Sequence, residues 1–491
     1  MHLEYEFLVE RSPVCGCQTC GLLFLNPTPE SGSDEQSAPL AQDSSRFDAA
    51  NAETIVNDLI RYSGVQTGQL LIIGPNEHLT NASRRRGFEP VSLSLRDFES
   101  GTGLPAKVDL CILFSSLQKM SDPLSGLKTV RRLLNGRAAA MIVSPTTDSK
   151  AARVFRSSWW EFNRQNRFYF STDTVQTLLI KAGFGDTIIS PAHSFTFFES
   201  VVSPLARRGG SPLLRRQRFQ HDLYSSTRFL VRPKPVRETP VLSVIVPVYN
   251  EGVTFATVMD QLLEKSMDGV QIEIIIVESN STDGTREQVQ TYASHPRVTI
   301  ILHDKPMGKG FAVRAGLKVA TGDIILIQDA DLEYDLNDYE ALIAPLLRFE
   351  TNFVLGSRHN SSENTWKIRK FNDSAGVAAF FNIGHLLFLT LFNVLYSQRL
   401  TDPFTMFKVF RRDCIWGLVF ECNRFDFDHE IVIKLLRKGY KPLELPVNYA
   451  SRSMKEGKKV TILRDPLTWI RALFKFRTAP IYETSDVLAK G

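Results

Sequence analysis

Residues 324–335 read IILIQDADLEYD. Four apolar residues, Ile324–Ile327, run into Gln328 and then into Asp329, Asp331 and Glu333 at alternate positions. A short unbroken apolar run bounded by polar residues is the pattern of a strand buried on both faces. A buried strand that ends in carboxylates delivers them to the carboxyl edge of a sheet, where α/β folds bind ligands. In an extended chain the three acidic side chains project to one side. Hard oxygen donors at that spacing suit Mg²⁺ or Mn²⁺, which then bridges two phosphate oxygens. The same residues also compose an ordinary solvated acidic turn, so the neighbouring sequence has to decide.

Three runs of the same kind come before it: LSVIVPVYN (Leu242–Asn250), IEIIIVES (Ile272–Ser279) and VTIILHD (Val298–Asp304). Strands separated by helical stretches predict an α/β fold with a mostly parallel sheet over residues 241–480. Residues 51–204 show an independent alternation, with strand-like LLIIG (Leu70–Gly74), DLCILF (Asp109–Phe114) and AAAMIV (Ala138–Val143), and no motif shared with the second half. Residues 205–240 carry ARRGG, LLRRQR and RPKPVRETP, which reads as a basic interdomain connection, solvated or set against an anionic membrane surface. Residues 1–50 hold Cys15, Cys17 and Cys20 and then SGSDEQSAPLAQDSS, a flexible linker by composition.

A chain of 491 residues accommodates two or three domains of roughly 100–200 residues each. Its net charge of +5 is too small to indicate a nucleic-acid binder. The opening MHLEYEFLVERS lacks the cationic and then apolar order of a signal peptide. Six cysteines, three of them clustered, make no disulfide framework, so a reducing cytosol is expected, with Cys111, Cys414 and Cys422 as buried thiols. Residues 374–398 contain no acidic or basic side chain, and that length reaches across a bilayer. Asn382, His385, Asn393 and two glycines within it favour a buried or interfacial helix pair instead.

Four motifs follow one another in the second half: VIVPVYNE (Val244–Glu251), VESNSTDGT (Val277–Thr285), GKGFAVRAG (Gly308–Gly316) and QDADLEYD (Gln328–Asp335). The ordered set resembles the family 2 glycosyltransferases of the glycosyltransferase A (GT-A) fold, over essentially all of 241–477. The resemblance implies that Pro247, Tyr249 and Glu251 line a nucleotide pocket, where Tyr packs on base or ribose and Glu accepts ribose hydroxyls. It implies a base contact at Glu278 and Ser279, where the family usually has two acidic residues. Asp329 and Ala330 line the donor site, and Asp329, Asp331 and Glu333 hold the metal. Lys309 either reaches a phosphate or belongs to a plain turn, and Asp283-Gly284 is turn chemistry.

Later motifs are LGSR (Leu355–Arg358), TDPFTMFKVFRRD (Thr401–Asp413), FDFDHEIVIKLLRKGY (Phe425–Tyr440), ELPVNYASR (Glu444–Arg452) and MKEGKK (Met454–Lys459). Together they resemble dolichyl- and polyprenyl-phosphate sugar synthases. That implies metal-dependent, inverting transfer from a donor of the GDP-mannose or UDP-glucose type to a lipid phosphate, peripherally on the cytoplasmic face of the inner membrane. Arg452 and Lys458 would close over the diphosphate, and Arg358 would meet the acceptor phosphate. A phosphate acceptor needs no general base. A polysaccharide or metabolite hydroxyl would need one, and Asp402, with Glu430 behind it, is the candidate, unless Asp402 simply opens the turn at Pro403.

In the first half, CQTCGLLFLNPTPE (Cys17–Glu30), residues 122–155 and WWEFNRQNRFYFSTDTVQTLLIKAGF (Trp159–Phe184) resemble class I S-adenosylmethionine-dependent methyltransferases with an amino-terminal cysteine module. The expected cofactor turn is Gly74-Pro75-Asn76-Glu77-His78, with one glycine and a proline that removes a backbone donor. PVSLSL (Pro90–Leu95) lacks the acidic residue that would hold the ribose. The expectation is a Rossmann-like domain without catalysis or S-adenosylmethionine, which docks partners or aids assembly. A scaffold role and a bifunctional methyl- and glycosyltransferase are the alternatives. Cys17 and Cys20, with Cys15 and His2, fall short of a complete zinc site. The sequence leaves a homo-oligomer open.

Overall fold

Leu70–Ile73 are four consecutive apolar residues, all fully buried, and they set the pattern of the first half of the chain. The computed structural model describes residues 3–10, 12–18, 21–26, 49–192, 225–359, 375–450 and 464–482. It divides into two units, Met1–Val236 with Ser485–Gly491, and Arg237–Thr484. In the first unit β1 (Leu3–Val9), β2 (Ser12–Cys17) and β3 (Leu23–Leu25) form an antiparallel sheet. Six further strands are β4 (Gly68–Ile73), β5 (Phe88–Leu93), β6 (Val108–Phe114), β7 (Leu134–Pro145), β9 (Phe184–Ala192) and β10 (Ser226–Pro233); β8 (Phe168–Tyr169) joins the small sheet beside β3. The large sheet runs β5-β4-β6-β7-β10-β9. β4, β5, β6 and β7 are parallel, and β10 pairs antiparallel with both β7 and β9.

Two expectations are corrected here. Residues 226–233, read as part of a basic connection, form a strand inside this sheet. The arginines drew attention away from Phe229, Leu230 and Val231, which are buried. Leu3–Val9, Ser12–Cys17 and Leu23–Leu25 are likewise strands rather than a separate cysteine segment, because Val9, Val14 and Leu25 pack with Tyr169 in a core of their own. Residues 205–224, Cys20 and His2 lie outside the described residues.

The second unit is a seven-stranded sheet of β11 (Val241–Val248), β12 (Gln271–Glu278), β13 (Val298–Leu302), β14 (Ile324–Ile327), β15 (Phe353–Ser357), β16 (Lys408–Arg411) and β17 (Leu443–Pro446). Their order is β13-β12-β11-β14-β16-β15-β17, with β16 antiparallel to its neighbours β14 and β15. Both faces are buried, as an unbroken apolar run requires. Val244, Val246 and Val248 face a core built with Phe255, Val258 and Tyr339, whereas Ile245, Ile325 and Ile327 face one built with Phe427, Ile431 and Leu473. The chain winds outward from β11 to β13 and returns to β14 on the other side of β11. That reversal opens a crevice at the carboxyl ends of β11 and β14.

Register at the opposite, amino-terminal edge is fixed by polar groups. The Glu273 carboxylate accepts from Ser243 Oγ, Thr321 N (2.7 Å), Thr321 Oγ1 (2.8 Å) and Gly322 N (3.0 Å), and Asp323 accepts from Val241 N (3.1 Å). Partial burial works to raise the Glu273 pKa, but the donors from Ser243, Thr321 and Gly322 outweigh it and hold the carboxyl below its ordinary value. A depressed carboxyl contributes stability that is present above the ordinary carboxylate pKa and is lost as pH falls through the folded-state value. Glu273→Gln should therefore cost about 1–2 kcal/mol at neutral pH in chemical denaturation. The gap to the unsubstituted protein should close in acid; a gap of constant size from neutral to acid pH would show that the charge of Glu273 is irrelevant.

Candidate functional site

The loops after β11 and β12 are sewn together before any ligand is considered. Asn250 N donates to Ser281 Oγ (2.9 Å) and Thr282 N to Asn250 Oδ1 (2.8 Å). Gly252 N donates to Asp283 Oδ2 (3.0 Å), and Glu251 N to Thr285 Oγ1 (3.0 Å). Asn250 and Asn280 adopt left-handed backbone conformations, which asparagine tolerates well. Asp283 also accepts from Thr285 N at 3.1 Å, so its role is turn chemistry. On this scaffold Pro247 lies near the end of β11, the Tyr249 ring is partly exposed and Glu251 is half-buried. Glu278 behaves differently from the expected base contact. It is fully buried, accepts from Ser281 N (2.6 Å) and pairs with Arg286 at 3.2 Å, which makes it a brace between strand and loop; the adjoining Ser279 is also buried.

The acidic segment after β14 is a turn rather than an extension of the strand. The strand ends at Ile327, and Leu332 has φ +58°. The extended-chain argument for three carboxylates on one side therefore fails. Asp331 Oδ1 accepts from Glu333 N (3.1 Å), and Glu333 Oε2 accepts from Tyr449 Oη (2.9 Å). Among the described residues no three acidic, histidine or cysteine side chains converge as a metal cage. Asp329 and Asp331 still fit a Mg²⁺ or Mn²⁺ ion, which is commonly held by one or two carboxylates and completed by substrate phosphates and water. The turn is tied to the β11 loop by Thr254 Oγ1, which donates to the Ala330 carbonyl at 2.6 Å.

Lys309 comes to the same place from the glycine turn. Its Nζ lies 2.5 Å from Asp329 Oδ1 and donates to Oδ2 at 2.8 Å. Burial works to lower its pKa, but the charges of Asp329, Asp428 and Asp331 raise it overall, so the amine is an ammonium. The flanking glycines have a packing reason. A Cβ on Gly308, at φ +101°, would sit 2.4 Å from the Asn423 carbonyl oxygen, and one on Gly310 would sit 2.5 Å from Phe427 Cβ. The turn is pressed against residues 422–427, and only glycine fits.

Arg358 and Asp402 form the second half of the site. Arg358 Nε and Nη2 each donate to Asp402 at 2.7 Å, and Arg358 N donates to Asp402 Oδ2 at 3.0 Å. Asp402 is fully buried, and Glu444 accepts from the backbone amides of Thr401 and Asp402. Burial, first, and the Asp402 charge raise the Glu444 pKa against those hydrogen bonds. The Arg358 guanidinium also lies 5.5 Å from the centre of the Tyr449 ring. Sequence reasoning missed Tyr449 and Tyr334, whose rings pack at a tilt with centres 5.0 Å apart, and the buried pair Lys408–Asp428 at 3.2 Å. A lysine inside the apolar run FKVF was the available signal for the latter. Glu430 is structural: it accepts from Glu421 N, Cys422 N and Lys434. Arg452 and Lys458 lie outside the described residues.

The first unit pairs its own polar groups beyond the carboxyl ends of β6 and β7, whereas its winding reverses between β4 and β6. Trp159 Nε1 donates to Ser225 Oγ (3.0 Å), the Thr146 and Thr227 hydroxyls are paired at 2.8 Å, and Gln118 Nε2 donates to Ser115 O (3.0 Å). The surviving glycine of the cofactor turn has a structural reason too, since a Cβ on Gly74 would meet the Phe114 carbonyl oxygen at 2.4 Å. Asn76 caps the following helix through Leu79 N. Cys15 and Cys17 are half-buried, and Cys15 Sγ accepts from Asn26 Nδ2 at 3.8 Å.

Residues 243–418 match Glycosyl transferase family 2. The chain is 30% identical over 223 residues to a dolichyl-phosphate beta-glucosyltransferase of Trichomonas vaginalis, covering 42% of this chain and 65% of that protein. It is 27% identical over 221 residues to a dolichol-phosphate mannosyltransferase of Pyrococcus furiosus, covering 44% and 58%. It thus spans less than two thirds of these relatives' own length. A solved structure of glucosyl-3-phosphoglycerate synthase from Mycobacterium tuberculosis aligns with 49% of this chain and 81% of its own, at 19% identity and a TM-score of 0.37. The second unit of this chain carries a family 2 glycosyltransferase domain, similar to dolichyl-phosphate glycosyltransferases.

Proposed function

We propose that the second unit transfers a hexosyl group from a nucleoside diphosphate sugar to a lipid phosphate, with inversion. The observation that carries this reading is the placement of Asp329 and Asp331 on a tethered turn at the carboxyl end of β14, inside the matched region. These two residues would hold a divalent cation, which when bound offsets the charge of the departing diphosphate. Pro247, Tyr249 and Glu251 border the crevice on the nucleotide side. Arg358, aligned by its two-pronged bond to Asp402, presents a guanidinium to an anionic acceptor. A phosphate oxygen attacks the anomeric carbon as the bond to the diphosphate oxygen breaks. With a second pKa of about 6 the acceptor is already ionised at neutral pH and needs no base.

The arrangement speaks against a hydroxyl acceptor. Asp402, the candidate base for that chemistry, accepts three hydrogen bonds from Arg358 and is fully buried. Two packed helices favour a lipid. Ala375–Tyr396 leaves Leu386, Leu387 and Val394 exposed, and Arg464–Thr478 leaves Ile470 and Phe474 exposed beside Arg471 and Lys475. Tyr396 Oη donates to the Leu473 carbonyl at 2.5 Å and joins them. Among the described residues no helix is long and apolar enough to cross a membrane. An exposed apolar stripe with flanking cations suits the surface of an anionic leaflet. For the first unit we propose a Rossmann-like, methyltransferase-type scaffold without methyl transfer, supported by its parallel β5-β4-β6-β7 core and by a turn at Gly74–His78 that has one glycine and a proline.

Titration with GDP and with UDP should give binding of one nucleotide in Mn²⁺ that EDTA abolishes. Asp331→Asn should lower turnover by about 10²-fold or more with the fold intact; normal turnover in that variant would sink the site assignment. Leu387→Asp combined with Phe474→Asp should abolish cosedimentation with anionic vesicles, and failure of the unsubstituted protein to cosediment would remove the membrane part of the reading. S-adenosylmethionine should give no heat on titration into the whole protein; saturable binding would revive a bifunctional enzyme.

A further inference from the structure

The placement of Lys309 has a consequence for the order in which ligands assemble. Its ammonium touches both oxygens of Asp329, at 2.5 and 2.8 Å, so it sits where a cation shared by that carboxylate would sit. Both partners are largely shielded from water, with 13% and 18% of their side-chain surfaces exposed. An ammonium on both oxygens of Asp329 competes with a divalent ion for that carboxylate, by occupying its lone pairs and by like-charge repulsion. The lysine also donates to the Met406 thioether at 3.5 Å, a weak acceptor, and the charges of Asp428 and Asp331 act on it as well. The backbone of the turn lies close against residues 422–427, where a side chain at Gly308 or Gly310 would collide. The flexible stem of Lys309 is the part free to move.

We propose that Lys309 is a built-in substitute for the metal ion, which holds Asp329 until a nucleoside diphosphate draws the ammonium away, so that metal and nucleotide bind as a coupled pair. The proposal rests on the glycosyltransferase reading above. Lys309 is the first residue of the helix Lys309–Val319, whose amino-terminal end carries partial positive charge that favours a nearby phosphate, while the Phe311 amide donates to the Asn423 carbonyl at 3.0 Å. With a diphosphate present the ammonium exchanges one anion for another, and Asp329 becomes available to the ion that the same phosphates recruit. Without it, a metal ion must first break a buried ion pair.

The test uses the full chain and Mn²⁺, with free ion followed by electron paramagnetic resonance, alone and then with GDP or UDP. Lys309→Met keeps the stem and removes the charge, and Lys309→Gln provides a second variant if the first folds poorly. Without nucleotide, the variants should bind Mn²⁺ roughly tenfold tighter than the unsubstituted protein, and the mutual enhancement between Mn²⁺ and nucleotide should shrink by the same factor, as linkage requires. Mn²⁺ should also raise the melting temperature more in the variants, because it repairs the bare Asp329 carboxylate. Equal or weaker Mn²⁺ binding in both variants, with mutual enhancement intact, would overturn the proposal while leaving the donor site standing. Absence of any metal-dependent nucleotide binding by the unsubstituted protein would overturn the glycosyltransferase reading and the coupling with it.

Discussion

The second unit depends on the parallel pairing of β11 with β14. Four residues of each strand are matched, Leu242 with Ile324 through Ile245 with Ile327. The pairing is pinned at one edge by Asp323 and the Glu273 cluster, and at the other by the hydroxyl of Thr254 on the carbonyl of Ala330. The apolar residues between those pins contribute most of the favourable free energy, at roughly 1.5–3 kcal/mol for each large side chain fully buried. The polar pins contribute less, but they settle register. A slip of one residue would exchange the two faces of β14 and send Asp329 and Asp331 away from the crevice.

The site built on that pairing is crowded with charge. Lys309 with Asp329, Lys408 with Asp428, and Arg358 with Asp402 are three ion pairs within one small region, and two of their members, Lys408 and Asp402, are fully buried. Burial lowers the Lys408 pKa even though Asp428 opposes it, a sign of how dry the place is. Buried ion pairs are weak devices for stability, since hydrophobic packing does as well or better. On the proposed reading, Lys408 and Arg358 hold positive charge where a diphosphate and an anionic acceptor would otherwise repel each other. Preorganised charge of this kind stabilises a leaving group without reorganising at the moment of reaction.

The two units reuse one architecture to different ends. Each has a parallel sheet whose winding reverses, and each therefore has a crevice at the carboxyl edge. In the second unit the loops around the crevice are tied to one another and bring carboxylates and a guanidinium to one place. In the first, Trp159 pairs with Ser225 and Thr146 with Thr227 beside the end of β7. Side chains that satisfy each other need no ligand, so a shared fold class carries no shared chemistry.

The sequence by itself determined the strands and what stands at their ends. The apolar runs at 242–248, 272–277 and 324–327 could not be solvated, and each became a strand buried on both faces. Asp283 before glycine announced a turn and made one. Tertiary structure alone decided which charges met. Arg358 and Asp402 are 44 positions apart, Lys309 and Asp329 are 20 apart, and Tyr449 reaches Glu333 across 116. Periodicity and turn chemistry act over a few residues, whereas the partner of a carboxylate depends on which loops the sheet order brings side by side. For the same reason Glu278, read as a contact for the base, turned inward to Arg286, and the Arg-rich residues 226–233 became a strand. A motif specifies the residue types that a site needs, and packing determines where each of them points.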